Sequence, residues 1–223
     1  MKKIISYSLW GNDPKYCVGA VKNALLRGQI YPDWISRFYL HKNVPKQYKD
    51  ELLKIESTEI IIKESDPNWA FTTERFKAID DKDVERVIFR DTDSRLNPRE
   101  KSAVDEWEKQ GTCLHVMKDH PHHASFPILA GMWGLFKNGG VGNMTNYLLQ
   151  YDQMNPQIYY HYDQIFLSLL WNNLKNDCTI HDEFFLKIPF PTSRESGQFV
   201  GQVFDENDNS PEEHIEALMN YFK

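Results

Sequence analysis

Long apolar runs, paired cysteines and basic clusters are all missing from this 223-residue chain, and each absence argues against a class of protein. No segment approaches the roughly 18 to 20 consecutive apolar residues that cross a bilayer. The opening stretch MKKIISYSLWGNDPK sets two lysines before a short apolar run. That run is broken by Ser6, Tyr7 and Ser8 and has no small-residue cleavage site behind it, so it reads as a strand and not as a secretory signal. Cys17, Cys113 and Cys178 are far apart, odd in number and without a Cys-x-x-Cys pair. A disulfide framework and a thiolate zinc site are therefore not expected, and a soluble protein of the reducing cytoplasm is. No dense Lys/Arg stripe occurs and the formal net charge is -6, which argues against nucleic acid as partner. The glycines Gly139, Gly140 and Gly142 signal a loop or turn, but their spacing does not match a P-loop and no Lys-Ser/Thr pair follows. Internal repeats and low-complexity segments are absent as well.

What is present suits one domain over residues 1–223. At 41% hydrophobic residues the chain can build a sizeable core. Short β-rich runs at 3–8, 37–41, 59–63, 86–90 and 113–117 alternate with amphipathic stretches at 16–26, 46–55, 73–79, 98–110 and 163–174. Gly28 is expected to end the first helix, and Pro98 sits in the first turn of another. Segment 128–136 (ILAGMWGLF) reads as a strand whose two glycines admit a close neighbour. After Pro189 the chain is rich in turn residues until a last helix at 211–222. This alternation predicts an α/β fold, a mostly parallel central sheet flanked by helices.

The motif Arg90-Asp91-Thr92-Asp93-Ser94-Arg95 follows the fourth predicted strand. In an extended segment residues two apart project to one side, so Asp91 and Asp93 can face one ion. Two carboxylates suit Mg²⁺ or Mn²⁺, which keep waters and take further ligands from substrate phosphates. The carboxyl end of a strand is also where open α/β sheets bind ligands. On the tripeptide alone, two solvated turn aspartates are the alternative. Asp163-Gln164 opens a helix, where Asp163 is either a cap or a carboxylate facing ligand. Trp133, between Gly131 and Gly134, is available to stack on a sugar ring or to pack in the core. Arg75 and Arg95 are phosphate or sugar contacts, or surface ion-pair partners. His120, His122 and His123 do not read as a zinc site, because adjacent side chains point apart and Pro121 breaks any common helical face.

Taken together, Tyr7-Ser8-Leu9-Trp10-Gly11, Asp91-Thr92-Asp93, Met117-Lys118-Asp119-His120-Pro121, Ala130-Gly131-Met132-Trp133-Gly134, Asp163-Gln164 and Ile180-His181-Asp182 resemble the GT-A glycosyltransferases, especially small viral and bacterial members. The resemblance spans nearly the whole chain. It implies a GT-A fold, a nucleotide-diphosphate sugar as donor, with UDP as the nucleotide, and a glycan or other hydroxyl as acceptor. It implies that Tyr7, Ser8, Leu9 and Trp10 hold the nucleotide base, and that the Asp91 to Asp93 motif binds metal, diphosphate and ribose. It further implies His181 as a third metal ligand, with Mn²⁺ or Mg²⁺ as the ion. Lys118 or His120 would lie near sugar or phosphate. Asp163 and Gln164 would act at the transferred sugar, with Asp119 and Asp182 as further candidates for the base. The Asp-Gln pair resembles that of retaining members, so retention is the expected stereochemistry, and the transferred group is a hexose or pentose.

Two other classes fit part of the pattern. A haloacid-dehalogenase-like phosphatase also places Asp-x-Asp after a strand, but near its chain start and with Thr or Val where Arg95 stands. A non-catalytic sugar-nucleotide-binding module on a GT-A shell would have little use for an intact acidic set. A nucleotidyltransferase lacks support, because no glycine-rich loop follows the first strand.

Overall fold

A computed structural model of the chain describes residues 1–137 and 142–223. Among the described residues, seven strands form one sheet: β1 (Lys2–Leu9), β2 (Ile35–His41), β3 (Thr58–Lys63), β4 (Val84–Phe89), β5 (Leu114–Lys118), β6 (Trp133–Phe136) and β7 (Cys178–Asp182). Their order is β3-β2-β1-β4-β6-β5-β7. Every pairing is parallel except those of β6, which runs antiparallel to β4 and β5. Parallel neighbours need crossovers. These are supplied by α1 (Pro14–Ile30), α2 (Lys46–Leu53) and a 3₁₀ segment (Trp69–Asp80). The remaining helices are α3 (Pro98–Gln110), α4 (Met144–Met154), α5 (Tyr162–Leu174) and α6 (Glu212–Tyr221). Among the described residues, no helix is long and apolar enough to cross a membrane.

Alternation along the strands divides the core in two. Ile4, Val87, Phe89 and Trp133 pack with Phe76 of the 3₁₀ segment and Phe166 of α5. On the opposite face Ile5, Tyr7, Phe38 and Ile88 pack with Cys17, Ala20 and Ala24 of α1 and Trp107 of α3. From β1 the chain first builds outward through β2 and β3, then returns to place β4 on the other side of β1. Ser6 of β1 pairs with Phe89 of β4, so the loops leaving these strands emerge side by side where the strand order reverses. Such a switch point is a ligand crevice.

Local chemistry sets the boundaries. Asp13 accepts the Lys15 N–H at 2.9 Å and Pro14 takes the first turn, starting α1. The expected stop at Gly28 does not occur: α1 runs through it to Tyr31, whose N–H bonds the Arg27 carbonyl. The expected helix at 73–79 is a 3₁₀ segment. Ser6 Oγ takes the Arg75 carbonyl at 2.7 Å and Ser8 Oγ the Thr72 carbonyl at 3.1 Å, diverting acceptors that an α-helix would use. Only Trp133–Phe136 of the expected strand 128–136 pairs in the sheet. Helix α4 was not anticipated; its buried Met144, Leu148 and Tyr151 are diluted by polar residues, and Asp80 caps it by accepting the Met144 and Thr145 N–H groups at 2.7 Å. Of the expected glycine turn, Gly139 and Gly140 lie outside the described residues.

Beneath the switch point, Arg90 and Glu100 form an ion pair at 2.7 Å, each side chain 2% exposed. Tyr31 donates to Glu100 at 3.0 Å, and the Arg90 guanidinium also donates to the carbonyls of Phe89 and Trp133. The pair thus ties β4, β6, α3 and the end of α1 together one residue before Asp91. Glu100→Ala strands a buried guanidinium, and a loss of about 3 to 5 kcal/mol in urea-unfolding stability is expected. A loss under about 1 kcal/mol would show that the pair is not holding the strand end.

Candidate functional site

A cleft of about 460 Å³ opens at the switch point. Ser8 to Asp13 line it from the loop after β1, and Tyr16 from α1. Trp69, Thr72 and Arg75 come from the 3₁₀ segment, Asp91 to Asp93 from the turn after β4, and Tyr160, His161, Asp163 and Gln164 from the start of α5.

Arg75 is the centre of this arrangement. Its guanidinium is 4% exposed and pairs with Asp91 Oδ1 and, at 3.3 Å, with Asp163 Oδ2. It also donates to the Arg90 carbonyl at 2.8 Å, while its own backbone N–H donates to Ser8 Oγ at 3.0 Å. Burial works against the Arg75 charge, but Asp91 and Asp163 outweigh it and raise its proton affinity.

Asp91 and Asp93 do share the cleft, although not by strand alternation. The chain turns there, with the Ser94 N–H and Oγ both donating to the Asp91 carbonyl, at 3.4 and 2.9 Å. Burial raises the Asp93 carboxyl above the ordinary carboxylate range, and the Asp91 charge adds to this; the Lys15 ammonium, 2.8 Å from Asp93 Oδ2, opposes it. The Asp163 carboxyl is likewise raised, first by burial and then by Asp91, against the pull of Arg75. Three carboxylates therefore crowd two cations. Gly131 makes room for them, since a Cβ there would lie 2.1 Å from Asp91 Oδ2.

Hard carboxylate oxygens gathered in one cleft, with the Asp91 charge raising the proton affinity of Asp93 and Asp163, fit a divalent cation. Among the described residues, no group of three or more His, Cys, Asp or Glu side chains is placed to hold a metal ion alone. A cation at Asp91 and Asp93 thus requires ligands from water or substrate.

Other residues expected at the site lie elsewhere. Tyr7 is buried and stacks on Phe38 at 4.7 Å; Ser8, Leu9 and Trp10, the next residues, do line the cleft. Trp133 is buried against Phe89 at 4.1 Å. His181 sits on β7, three strand spacings or roughly 14 Å from β4. Its imidazole bonds that of His115 at 2.9 Å, and burial holds both rings below the ordinary histidine range. Lys118 lies over Phe185. Asp119 is buried in a bidentate pair with Arg99 at 3.0 Å and also accepts from Arg194 and the Val200 N–H. Arg95 pairs with Asp208 at 3.0 Å. His120, His122 and His123 gather with His214, and burial pushes His123 down to about 3.

Gln164 lines the cleft and packs its amide against the 128–130 loop, where the orientation that satisfies both partners sets its nitrogen 2.9 Å from the Ile128 carbonyl and its oxygen 3.1 Å from the Ala130 N–H. Asp163 does not cap α5. His161 holds that position, and Asp163 accepts the Gln164 N–H at 2.9 Å from within the first turn. Lys15, Trp69, Thr72, Tyr160 and His161 were not anticipated. The cap Asn12-Asp13-Pro14 was a signal for Lys15, because it opens a helix just after the first strand; nothing in the sequence marks the other four.

No family profile matches the chain, and no curated protein matches it. Solved structures do. A glycosyltransferase involved in glycosylation of the major capsid of PBCV-1 aligns over 86% of this chain and 95% of its own, at 12% identity and TM-score 0.51. The galactosyltransferase LgtC, solved with donor and acceptor sugar analogs, aligns over 82% and 74%, at 13% identity and TM-score 0.54. A putative glucose-1-phosphate thymidylyltransferase from Bacillus anthracis aligns over 82% and 86%, at 12% identity and TM-score 0.50. The chain has the GT-A fold.

The crowding of carboxylates has a thermodynamic consequence. A carboxyl raised by folding favours the protonated form, so its stabilising contribution is present at low pH and is lost as pH rises through the folded value. Asp163→Asn imitates the protonated form. Its melting temperature without ligand should equal or exceed wild type at about pH 7, and the gap should close near about pH 4, where ordinary carboxyls titrate. A variant less stable than wild type at neutral pH would show instead that the Arg75 pair outweighs the cost of burial.

Proposed function

We propose that this chain is a metal-dependent glycosyltransferase that moves a hexose or pentose from a nucleotide-diphosphate donor, a UDP-sugar, to a glycan hydroxyl. The observation that carries the reading is the convergence of Asp91 and Asp163 on Arg75, with Asp93 held by Lys15, in one cleft at the switch point of a GT-A sheet. A fold alone does not name a reaction, and the thymidylyltransferase likeness shows that this one hosts nucleotidyl transfer too. The loop after β1 separates the two. Here it is Leu9-Trp10-Gly11-Asn12, with the bulky Trp10 on the cleft wall, where nucleotidyl transfer would call for a glycine-rich cradle.

In this reading Ser8, Leu9 and Trp10 hold the base, and Asp91 and Asp93 hold Mn²⁺ or Mg²⁺. That ion, when bound, offsets charge on the departing diphosphate. Lys15 adds a cation at the same end of the cleft. Arg75 keeps Asp163 ionised and aimed inward although burial favours its proton. The Asp163 carboxylate then faces the sugar carbon or the acceptor hydroxyl, as nucleophile in a retaining reaction or as base in an inverting one. The Asp163-Gln164 pair favours retention.

Calorimetry of UDP binding with and without Mn²⁺ tests this. Wild type should bind UDP in a metal-dependent way, and Asp91→Asn and Asp93→Asn should each lose that dependence with little change in melting temperature. Normal UDP affinity in both variants would overturn the assignment. Pyrophosphate release from a nucleoside triphosphate and a sugar 1-phosphate would favour nucleotidyl transfer.

A further inference from the structure

The outer lip of the cleft carries exposed aromatic rings that the core does not need. Trp69, 43% exposed, and Tyr160, 60% exposed, meet edge-on at 4.9 Å. Trp10 approaches Trp69 at 6.0 Å. Tyr160 lies 4.0 Å from His161, which lies 5.4 Å from Phe126. These centroid distances trace one continuous strip from Trp10 to Phe126, whose members Trp10, Trp69, Tyr160 and His161 line the cleft, His161 standing two residues before Asp163. No acidic side chain, lysine or arginine belongs to the strip, whereas Lys15 and Arg75 pair with carboxylates at the cleft's acidic turn.

His161 is held in the left-handed region, at φ 75° and ψ 15°. Glycine adopts this conformation freely; histidine, although commoner there than most side chains, still suits it less well. Its side chain makes no capping hydrogen bond that would repay the strain, and it remains exposed. Other non-glycine residues with positive φ, Ser57, Lys187 and Asp208, lie outside the cleft lining. Strain kept at a cleft wall, with a ring where a glycine would fit better, points to a use for the ring.

We infer that Tyr160 and His161 form the acceptor subsite: the strip takes the apolar C–H face of a neutral sugar ring, and the His161 imidazole hydrogen-bonds one of its hydroxyls. This rests on the transferase reading above. It adds where that glycan binds: on the α5 lip, with its reacting hydroxyl beside Asp163. The flat, uncharged rings suit a sugar face better than a diphosphate or a charged peptide, and their continuity with the cleft puts the bound ring next to the carboxylate.

The test compares wild type with His161→Gly, Tyr160→Ala and Tyr160→Phe. Each is measured for UDP affinity with Mn²⁺, for hydrolysis of UDP-glucose and UDP-galactose, and for transfer to methyl hexosides, lactose, maltose and cellobiose. Tryptophan fluorescence reports binding of the same sugars directly. Wild-type fluorescence should respond to at least one of them in the presence of UDP and Mn²⁺. His161→Gly should melt no lower than wild type and keep UDP affinity and donor hydrolysis. Its KM for the best acceptor should rise about 10-fold or more, as should that of Tyr160→Ala, with Tyr160→Phe near wild type. Unchanged acceptor KM and sugar response in both His161→Gly and Tyr160→Ala would overturn the subsite, as would a wild type that answers to no sugar of the panel. Loss of UDP affinity in those variants would also overturn it, giving the strip to the base instead. Failure of the transferase reading itself looks different, because wild type would then lack metal-dependent UDP binding as well.

Discussion

Everything at the cleft depends on the Arg75 guanidinium. It is buried, it bonds carboxylates from the turn after β4 and from α5, and it takes the Arg90 carbonyl between them. In water such pairs contribute little; out of water the same charges interact several times more strongly, and a missing partner costs correspondingly more. Without this cation the Asp163 carboxyl would lose the charge that most opposes its burial. The 3₁₀ form of its segment is part of the device. Ser6 and Ser8 of β1 bond the backbone at Arg75 and Thr72, fixing the guanidinium relative to the strand whose following loop lines the cleft. Arg90 and Glu100 form a second tier below and fix the strand end from which Asp91 departs.

The balance at the site is deliberately short of positive charge. Asp93 and Asp163 both carry raised proton affinities, although each has a cation beside it. A group whose environment favours the uncharged form is a cost to the ligand-free fold at neutral pH. Such costs collect at functional sites. In the proposed reading, a cation arriving with an anionic ligand would relieve them.

The sheet and most helices were legible because strong local signals agreed: apolar runs for β1, β2 and β4, and Pro98 in the first turn of α3. What failed was non-local. His181 looks adjacent to the acidic motif only if β7 is assumed to lie near β4. The actual order inserts β6 and β5 between them, and β6 does so by antiparallel pairing that no local pattern announces. Tyr7 was misplaced by ignoring period two: Ser6 and Ser8 face the 3₁₀ segment, so the intervening Tyr7 faces the other core. The glycines around Trp133 did mark close approaches, but by the protein itself. Asp91 fills the space at Gly131, and Trp107 stands 3.0 Å from where a Cβ would sit on Gly134.

Asp119 shows how a residue can matter to a site without facing it. Its carboxylate gathers Arg99 of α3, Arg194 and the Val200 N–H of the C-terminal tail, and Glu183 shares both arginines. The tail so anchored continues to Phe204, whose N–H donates to the Asp93 carbonyl at 2.8 Å, while Val203 bridges to Ser94. The acidic turn is thus clamped from β4 on one side and from the tail on the other. The family resemblance offers Asp119 as a candidate base; the structure instead places it in this ion-pair cluster, outside the cleft lining. Its charge is consumed in holding two arginines, and its influence on Asp93 travels through backbone hydrogen bonds and not through the cleft.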